Sequence, residues 1–373
     1  MKKVISISTL ILLILVFNTV VYGAEEETLS IERPKAIVTE IIETNKELDL
    51  QTGIYIGFQI VEVEILSGIF QGELVFAEKF NYPGDANFWL EEKDNILIQI
   101  EVVNGEIITA DIVDYTRDYS TLILVSIFIA LLIFFGQKQG LKSVLTLGLT
   151  LFLLFKVMIP LLFAGYNPIL LALITGGIVT ATTFLIVSGF TRKTLSALAG
   201  TVGGLFSAAV ISFIFSRTMN LSGLHGDEER MLLVTTSSEL SMDFTGLLLA
   251  GIIIGALGAV MDVAISIASS MDEVQKVDPD ISKKRLFTSG MNVGKDIMGT
   301  MANTLILAYV GAALPLLLIL YSLESPIFEL IHLEFLVVEI LRTVAGSIGL
   351  ILSIPITAIV MVLLIKTRTS STL

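Results

Sequence analysis

The hydrophobic positions along the chain follow two different patterns. From residue 25 to residue 118, apolar and polar residues alternate in short runs, and from residue 119 onward the apolar residues form long continuous stretches. Alternation predicts half-buried β-strands, whereas an apolar stretch of about 20 residues predicts a helix that spans a membrane. The pattern therefore predicts a small β domain followed by a membrane domain.

Five alternating runs fill residues 25–118. They are KAIVTEIIE, TGIYIGFQIVEVEIL, GELVFAEKF, NILIQIEVV and EIITADIVD. In the second run, Val61 and Val63 share one face while Glu62 lies on the other. Asn104-Gly105 separates the last two runs, and both residues tolerate the positive φ of a type I′ hairpin turn. Five short strands in this length predict an all-β barrel of the OB type, for which the runs reveal no ligand site.

Residues 1–24 have the layout of a secretory signal peptide. Lys2 and Lys3 precede an apolar run that ends at Val21, and small residues then lead into three glutamates. The run is nearly long enough to span a bilayer, so an uncleaved anchor remains the alternative. In either case the β domain is exported.

The second half of the chain predicts an integral membrane protein. Seven stretches of spanning length lie near residues 119–136, 143–163, 168–189, 194–215, 244–270, 290–321 and 343–366. A content of 54% hydrophobic and 16% charged residues, with a mean hydropathy of +0.86, is outside the range of soluble globular proteins. The predicted fold is a membrane all-α helical bundle, residues 119–373, behind a small N-terminal extracytoplasmic all-β domain, residues 25–118.

Basic residues predict the orientation of this bundle. The loops on one side contain Lys138, Lys142, Arg192, Lys193, Lys276, Lys283, Lys284, Arg285, Lys366 and Arg368. The other side has only Arg217, Arg230 and Arg342 among many acids. The positive-inside rule places the first set in the cytoplasm, so we expect a multi-pass plasma-membrane protein with its β domain outside and its C-terminus inside.

Charge and residue usage exclude several classes of function. Residues 25–118 hold 21 acidic against 6 basic residues, which disfavours nucleic acid as a partner. The chain has no cysteine, and its only histidines, His225 and His332, lie in separate loops and predict no metal site. It has no HExxH, Walker A or GxSxG motif, so we expect neither an enzyme nor a bound cofactor.

The most informative stretch is GIIIGALGAVMDVAISIASS, residues 251–270, which carries an acid inside an apolar span. At helical spacing, Asp262 shares a face with Ser266 and with Gly251, Gly255 and Gly258, and we expect this face to meet protein. An ionisable residue within a span is a hypothesis of function by default.

The following apolar stretch repeats this arrangement. Asn292, Asp296, Gly299 and Asn303 share a face, and Lys295 is adjacent to Asp296. On antiparallel helices Asp262 and Asp296 can lie at comparable depth, and neighbouring acids can exchange protons near neutral pH. The candidate proton or cation relay is Asp262, Asp296, Lys295, Asn292, Asn303 and Ser266.

The same residues have a structural interpretation. Lys295 can neutralise one acid, the asparagines can bridge helices, and Gly251, Gly255, Gly258 and Gly299 can serve as helix-packing glycines. Further packing positions are expected at Gly203, Gly204, Gly346 and Gly349. These two interpretations, relay and polar clamp, are both open at the level of sequence.

The sequence resembles the YibE/F family of multi-spanning bacterial membrane proteins. The resemblance is carried by GQKQGLKSVLTL, GFTRKTLSALAGTVGG, LSGLHGDEE, LLLAGIIIGALGAVMDVAISIASSMDEV, SGMNVGKDIMGTMANTLILAYVGAALPLLLIL and GSIGLILSIPITA. It implies a plasma-membrane location and an exported N-terminal domain, without implying a particular activity. GALGAVMDVAISIASS and ANTLILAYVG are also faintly similar to spans of RND-type permeases and SecD/SecF, a similarity that would match Asp262 to a proton-carrying aspartate.

Two functions follow as expectations. The first is a permease or transporter coupled to protons or cations through the intramembrane acids. The alternative is a membrane scaffold, assembly factor or sensor that binds an extracytoplasmic partner through the β domain. The expected partners are the lipid bilayer, protons or cations, and a partner subunit or a second copy of the chain.

Overall fold

The computed structural model describes residues 30–51, 53–82, 88–236 and 242–365. The predicted signal peptide or anchor, residues 1–24, lies outside the described residues. The chain divides into two compact units, Met1–Ile127 and Phe128–Leu373. The boundary falls inside the first helix, nine residues after the predicted end of the β domain at residue 118.

The described residues of the first unit contain a six-stranded sheet. Its strands are β1 (Ser30–Glu32), β2 (Lys35–Leu48), β3 (Tyr55–Ile65), β4 (Leu74–Asn81), β5 (Asn95–Val103) and β6 (Glu106–Tyr115). Strands β2 to β6 correspond to the five alternating runs, so the predicted β domain is confirmed. Strand β1 pairs with the edge of β5 and was not predicted, because three residues are too few to show a period.

The sheet curves until its strands meet. The order is β1-β5-β2-β3-β4-β6, with β5 and β6 also paired, so β2 to β6 form a ring. Every pair in this ring is antiparallel except β4 and β6, which run parallel and pair only at Glu78 and Asp111.

Alternation along the strands fills the interior of the ring. Val61 and Val63 of β3 and Ile98 of β5 are fully buried, as their period-two pattern predicts. The predicted hairpin is also present, with φ values of 54° at Asn104 and 84° at Gly105. The local pattern was sufficient here because one face of each strand must be apolar to be buried.

Ten helices lie in the described residues from Asp118 onward. They are α1 (Asp118–Leu153), α2 (Ile159–Phe163), α3 (Pro168–Ser188), α4 (Arg192–Thr218), α5 (Asp227–Thr235), α6 (Phe244–Val277), α7 (Lys283–Ala312), α8 (Leu314–Ser322), α9 (Ile327–Leu330) and α10 (Glu334–Leu364). A π-helical turn, Leu154–Met158, joins α1 to α2. In this turn the Ile159 N–H donates to the carbonyl of Leu154, five residues earlier, which is the π-helical pattern. The next residue, Pro160, has no N–H to donate to the Lys156 carbonyl.

Helix α1 is broken at Gln137. This residue has φ 48° and ψ −126°, outside the helical region. A Cβ on Gly140 would collide with the carbonyl oxygen of Leu132, eight residues earlier, although eight residues of continuous helix would separate them by about 12 Å. The chain therefore folds back sharply at Gln137, between the predicted spans 119–136 and 143–163.

In the part of the chain that the structure describes, five helical stretches are long and apolar enough to cross a membrane. They are Asp118–Phe163, which includes the break at Gln137, and helices α3, α4, α6 and α10. Helices α7 and α8 bend by 64° at their junction and count as a sixth span if taken together. The multi-pass membrane architecture is thus supported, while the count of seven spans stays a prediction because it requires each side of the Gln137 break to be a separate span.

Helix α6 lies at the centre of the second unit. It packs against α3, α4, α7 and α10, and more than half of the residues in its most apolar stretch are buried. Helices α4 and α10 form the most extensive pair, and they approach closely because Gly204 and Gly349 face each other across the contact. A Cβ on Gly204 would be only 2.7 Å from the Gly349 carbonyl oxygen, which confirms both as packing positions.

Candidate functional site

The predicted site lies on α6 and α7, and its position follows from how α6 is built. The Asp243 side chain caps the helix by accepting a 2.8 Å hydrogen bond from Gly246 N–H. The apolar residues of α6, including Val260, Ala264 and Ile267, face the other helices and are fully buried. Asp262 lies on the opposite face in the middle of the helix.

The glycine face of α6 points outward. Gly251, Gly258, Asp262 and Ser266 are exposed, and a Cβ at either of these two glycines would have no neighbour within 4 Å. Gly255 is exposed as well, yet a Cβ there would collide with the Tyr309 hydroxyl. We expected this face to meet protein, and among the described residues it does so only at Gly255. The residues that face the core are the larger apolar ones, because they lose more contact with solvent on burial.

Helix α7 runs antiparallel to α6 and packs against it through two other glycines. Gly290 lies against Met271, and Gly294 lies tightly against Ile354 of α10 and also meets Ile267 of α6. The two contacts are four residues apart on each helix, and residue numbers fall along α6 as they rise along α7. In this register Asp262 is level with Gly299, and Asp296 lies about three residues, or ~4.5 Å, from the level of Asp262.

The remaining predicted residues of α7 lie on its outward face. Asn292, Lys295, Asp296, Gly299 and Asn303 are all exposed. A Cβ on Gly299 would meet nothing within 4 Å, so this predicted packing glycine packs against no described residue. Two packing glycines of α7 were not predicted, Gly290 and Gly294, and they differ from Gly299 in the side of the helix on which they lie.

The two carboxylates lie at comparable depth, and neither has a polar partner among the described residues. Among the described residues, Asp262, Asp296 and Lys295 take part in no salt bridge, and their side chains make no hydrogen bond. The predicted clamp, in which Lys295 neutralises an acid, is therefore not formed within the described chain. An ion in a membrane-spanning segment costs about 2.5–3.5 kcal/mol on insertion scales, so these groups require water, a proton or another protein surface.

A second polar cluster lies near Gly251 and was not expected. The loop histidine His225 approaches Glu229, with 3.6 Å between Nε2 and Oε1, and its Nδ1 atom is buried without a hydrogen-bond partner. Arg342 of α10 donates to Glu339 at 2.8 Å. His225, Glu229 and Arg342 border an open cleft of about 390 Å³ whose other walls are apolar. The motif LSGLHGDEE places the histidine beside acids, but nothing in the sequence indicates that Arg342 lies close to them.

The described residues include no ready metal site. In residues 30–365, outside the three internal gaps, no three His, Asp or Glu side chains are grouped so that they could hold a metal ion. His332, the other histidine, lies in the turn that follows α9. The predicted site itself offers the carboxylates of Asp262 and Asp296, together with the amide, ammonium and hydroxyl groups of the residues around them.

Comparison with known proteins gives one match. The family model described as YibE/F-like protein matches residues 124–367, which is well over half of the chain. The search of curated proteins and the search of solved structures found no match. The matched segment includes helices α3 to α10 and both carboxylates.

Proposed function

The chain belongs to the YibE/F-like protein family, and on this premise we propose that it is a permease-like transporter in which Asp262 and Asp296 bind and pass on protons or cations. The family and the apolar helices indicate that the chain is a multi-pass membrane protein. The proposal adds a role for the two carboxylates and assigns no enzymatic reaction to the chain.

One observation carries this proposal. Asp262 lies in the middle of the most central spanning helix, yet it is exposed and has no hydrogen-bond or salt-bridge partner among the described residues. A purely structural carboxylate would be neutralised by a neighbouring cation, because an unpaired charge in a bilayer destabilises the protein. A carboxylate that exchanges protons or cations has to remain accessible to them.

The neighbouring residues extend the site along α7. Asp296 lies within about one helical turn of the Asp262 level, and Asn292 and Asn303 are on the same outward face of α7. We propose that water or a further subunit covers both outward faces, since lipid alone would leave the two acids without polar contacts. The further subunit can be a second copy of this chain.

We further propose the arrangement of the protein in its membrane. The distribution of lysine and arginine supports a plasma-membrane protein with the β domain outside and the C-terminus inside. The ring order of β2 to β6, with its single parallel pair, supports an OB-like barrel for the β domain. The fold-back at Gln137 supports seven spans, if the stretches before and after it both cross the membrane.

A rival function is supported by the other unit. A scaffold, assembly factor or sensor would use the β domain to bind an extracytoplasmic partner, and an opening between β4 and β6 favours this role. The two functions are compatible, because they use different parts of the chain.

The relay is tested with purified protein in proteoliposomes that contain a pH-sensitive dye. A potassium gradient with valinomycin drives protons inward, and we expect the wild type to acidify the lumen. Asp262→Asn keeps the size of the side chain but cannot ionise, so acidification should fall to the level of protein-free vesicles.

The matched control is Asp272→Asn on the same helix. Asp272 is 2.9 Å from Lys276 near the end of α6 and should be dispensable for proton movement. The relay is refuted if the wild type moves no protons and Asp262→Asn changes only the thermal stability. It is equally refuted if both variants abolish acidification to the same extent.

A further inference from the structure

The ring of the β unit is weakest between β4 and β6. The neighbouring pair β3 and β4 is in register from Glu64 opposite Leu74 to Gly57 opposite Asn81, whereas β4 and β6 pair only at Glu78 and Asp111. Residues 74–77 of β4 and 106–110 of β6 therefore do not pair with each other. Unpaired strand edges are sites where another extended chain can add.

A β-bulge lies in this part of the ring. On β6, Ile107 is opposite Val102 and Thr109 is opposite Glu101, so Ile108 is an extra residue without a partner on β5. A bulge bends its strand and increases the local twist, and bulges are common at sheet edges and barrel rims. The side chain of Ile108 is directed outward and is 60% exposed.

The two unpaired edges border an opening of about 450 Å³. Its walls include Val75 and Phe76 from β4 and Ile108 and Thr109 from β6. This volume is within the ~300–1,000 Å³ range of ligand pockets in proteins. Phe76 is 63% exposed beside it, so the opening has an apolar rim that faces solvent.

Acidic and apolar side chains alternate on the outer surface next to the opening. Across β3 and β4, Glu62 is opposite Phe76, Glu64 is opposite Leu74, and Ile60 is opposite Glu78. Lys79, the basic residue of β4, lies over the Phe88 ring at 4.7 Å and donates to the Phe80 carbonyl oxygen. The acids of this surface therefore have no basic neighbour on β4 that is directed toward them.

We propose that the opening between β4 and β6 binds an extended peptide segment in which basic and apolar residues alternate. The main chain of the segment adds to the unpaired edge of β4 or β6. Its apolar side chains contact Phe76 and Ile108, and its basic side chains contact Glu64, Glu78 and Asp111. Charge complementarity selects this occupant, because residues 25–118 hold 21 acidic and only 6 basic residues.

The same charge disfavours a lipid surface as the occupant. Membrane surfaces that attract peripheral domains are anionic and bind clusters of lysine and arginine. An acidic domain is repelled by such a surface, even where it exposes aromatic side chains. The proposal does not depend on proton coupling at Asp262, since it concerns the other unit of the chain.

The test uses full-length protein in detergent and three fluorescein-labelled nine-residue peptides. The first alternates lysine and valine, the second alternates glutamate and valine, and the third is the first with its central valine replaced by proline. We expect saturable fluorescence anisotropy with the first peptide, and binding of the third weaker by about tenfold, because proline cannot donate to a strand ladder. The second peptide should not bind.

Charge reversal tests the site by a gain of binding, which partial unfolding of the variant could not produce. Glu64→Lys with Glu78→Lys should lose binding of the lysine peptide and gain binding of the glutamate peptide. The matched control, Glu40→Lys with Glu43→Lys, changes two exposed acids of β2 and should behave as the wild type. Asp262→Asn should bind the lysine peptide normally, which separates failure of this site from failure of the relay.

The position of the bound peptide is measured with a fluorophore attached to a single introduced cysteine. The natural chain has no cysteine, so bimane on Thr109→Cys reports only on the opening. Its emission should shift to shorter wavelength with the lysine peptide. The proposal is refuted if all three peptides bind alike, if charge reversal leaves the preference unchanged, or if anionic vesicles or protein dimerisation produce the bimane shift without peptide.

Discussion

At the residue scale, the end of the β unit is held by a compact ionic contact. Arg117 donates to both carboxylate oxygens of Asp114, at 2.6 and 2.8 Å, and Tyr115 N–H donates to the same carboxylate at 2.7 Å. The hydrogen bond from Arg117 holds the pKa of the Asp114 carboxyl below its ordinary value, against a smaller opposing effect of burial. This contact therefore stabilises the folded β unit only while Asp114 is ionised.

The contact predicts a pH-dependent loss of stability. A lowered pKa in the folded state gives stabilisation that is complete above the unfolded pKa of about 3.9 and disappears as the pH falls through the folded value. Asp114→Asn should lower the melting temperature of the β unit by a few degrees at pH 7, as followed by circular dichroism. The difference from wild type should vanish toward pH 2.

The control for this prediction is Glu43→Gln, which neutralises an exposed carboxylate on β2 that takes part in no salt bridge with a described residue. Its melting temperature should match that of wild type at both pH values. A deficit of Asp114→Asn that persists undiminished at low pH would contradict the ionic origin of the stabilisation.

At the scale of the elements, the position of each glycine determines which helices can approach. Gly204 lies where α4 meets α6 and α10, with Val260 and Ser353 both within 3 Å of where a Cβ would be. Gly258 lies on the outward face of α6 and has no such neighbour. Both glycines are in the interior of a helix, so they form a matched pair that differs in packing alone.

Alanine at these two positions should have opposite effects. Gly204→Ala overpacks a tight contact and should destabilise the protein by about 1–3 kcal/mol. Gly258→Ala should stabilise it by up to about 1 kcal/mol, since alanine is the better helix former. Thermal unfolding in detergent measures both changes. Strong destabilisation by Gly258→Ala would show that another protein surface covers the outward face.

At the scale of the whole molecule, the distribution of basic residues predicts the topology. Lys138, Lys142, Arg192 and Lys193 lie at the same predicted side as the basic segment at 283–285. A reporter that is active only in the cytoplasm, fused after Leu373, should therefore be active. The same reporter placed after residue 118 should be inactive, and the reverse pattern would overturn the proposed orientation.

Individual residues show why much of the fold was predictable from sequence. Val61 and Val63 were placed correctly on one face of their strand, and this face is buried, because a strand alternates its faces residue by residue. Asn104-Gly105 was placed correctly in a turn because positive φ is a property of those residues themselves. The candidate site was predictable only in part: the comparable depth of Asp262 and Asp296 follows from helix length, whereas the absence of a salt bridge to either acid among the described residues does not.

The sequence by itself determined the features that depend on neighbours along the chain: the strands, the hairpin, the apolar spans and the acid inside residues 251–270. Only the tertiary structure decided which way each face turns. The glycines at 251, 255 and 258 and those at 204 and 349 are equally suited to helix packing, yet only the second set faces a closely packed helix throughout. The physical reason is that a helix presents several faces, and the shapes of the helices around it select the face that is buried.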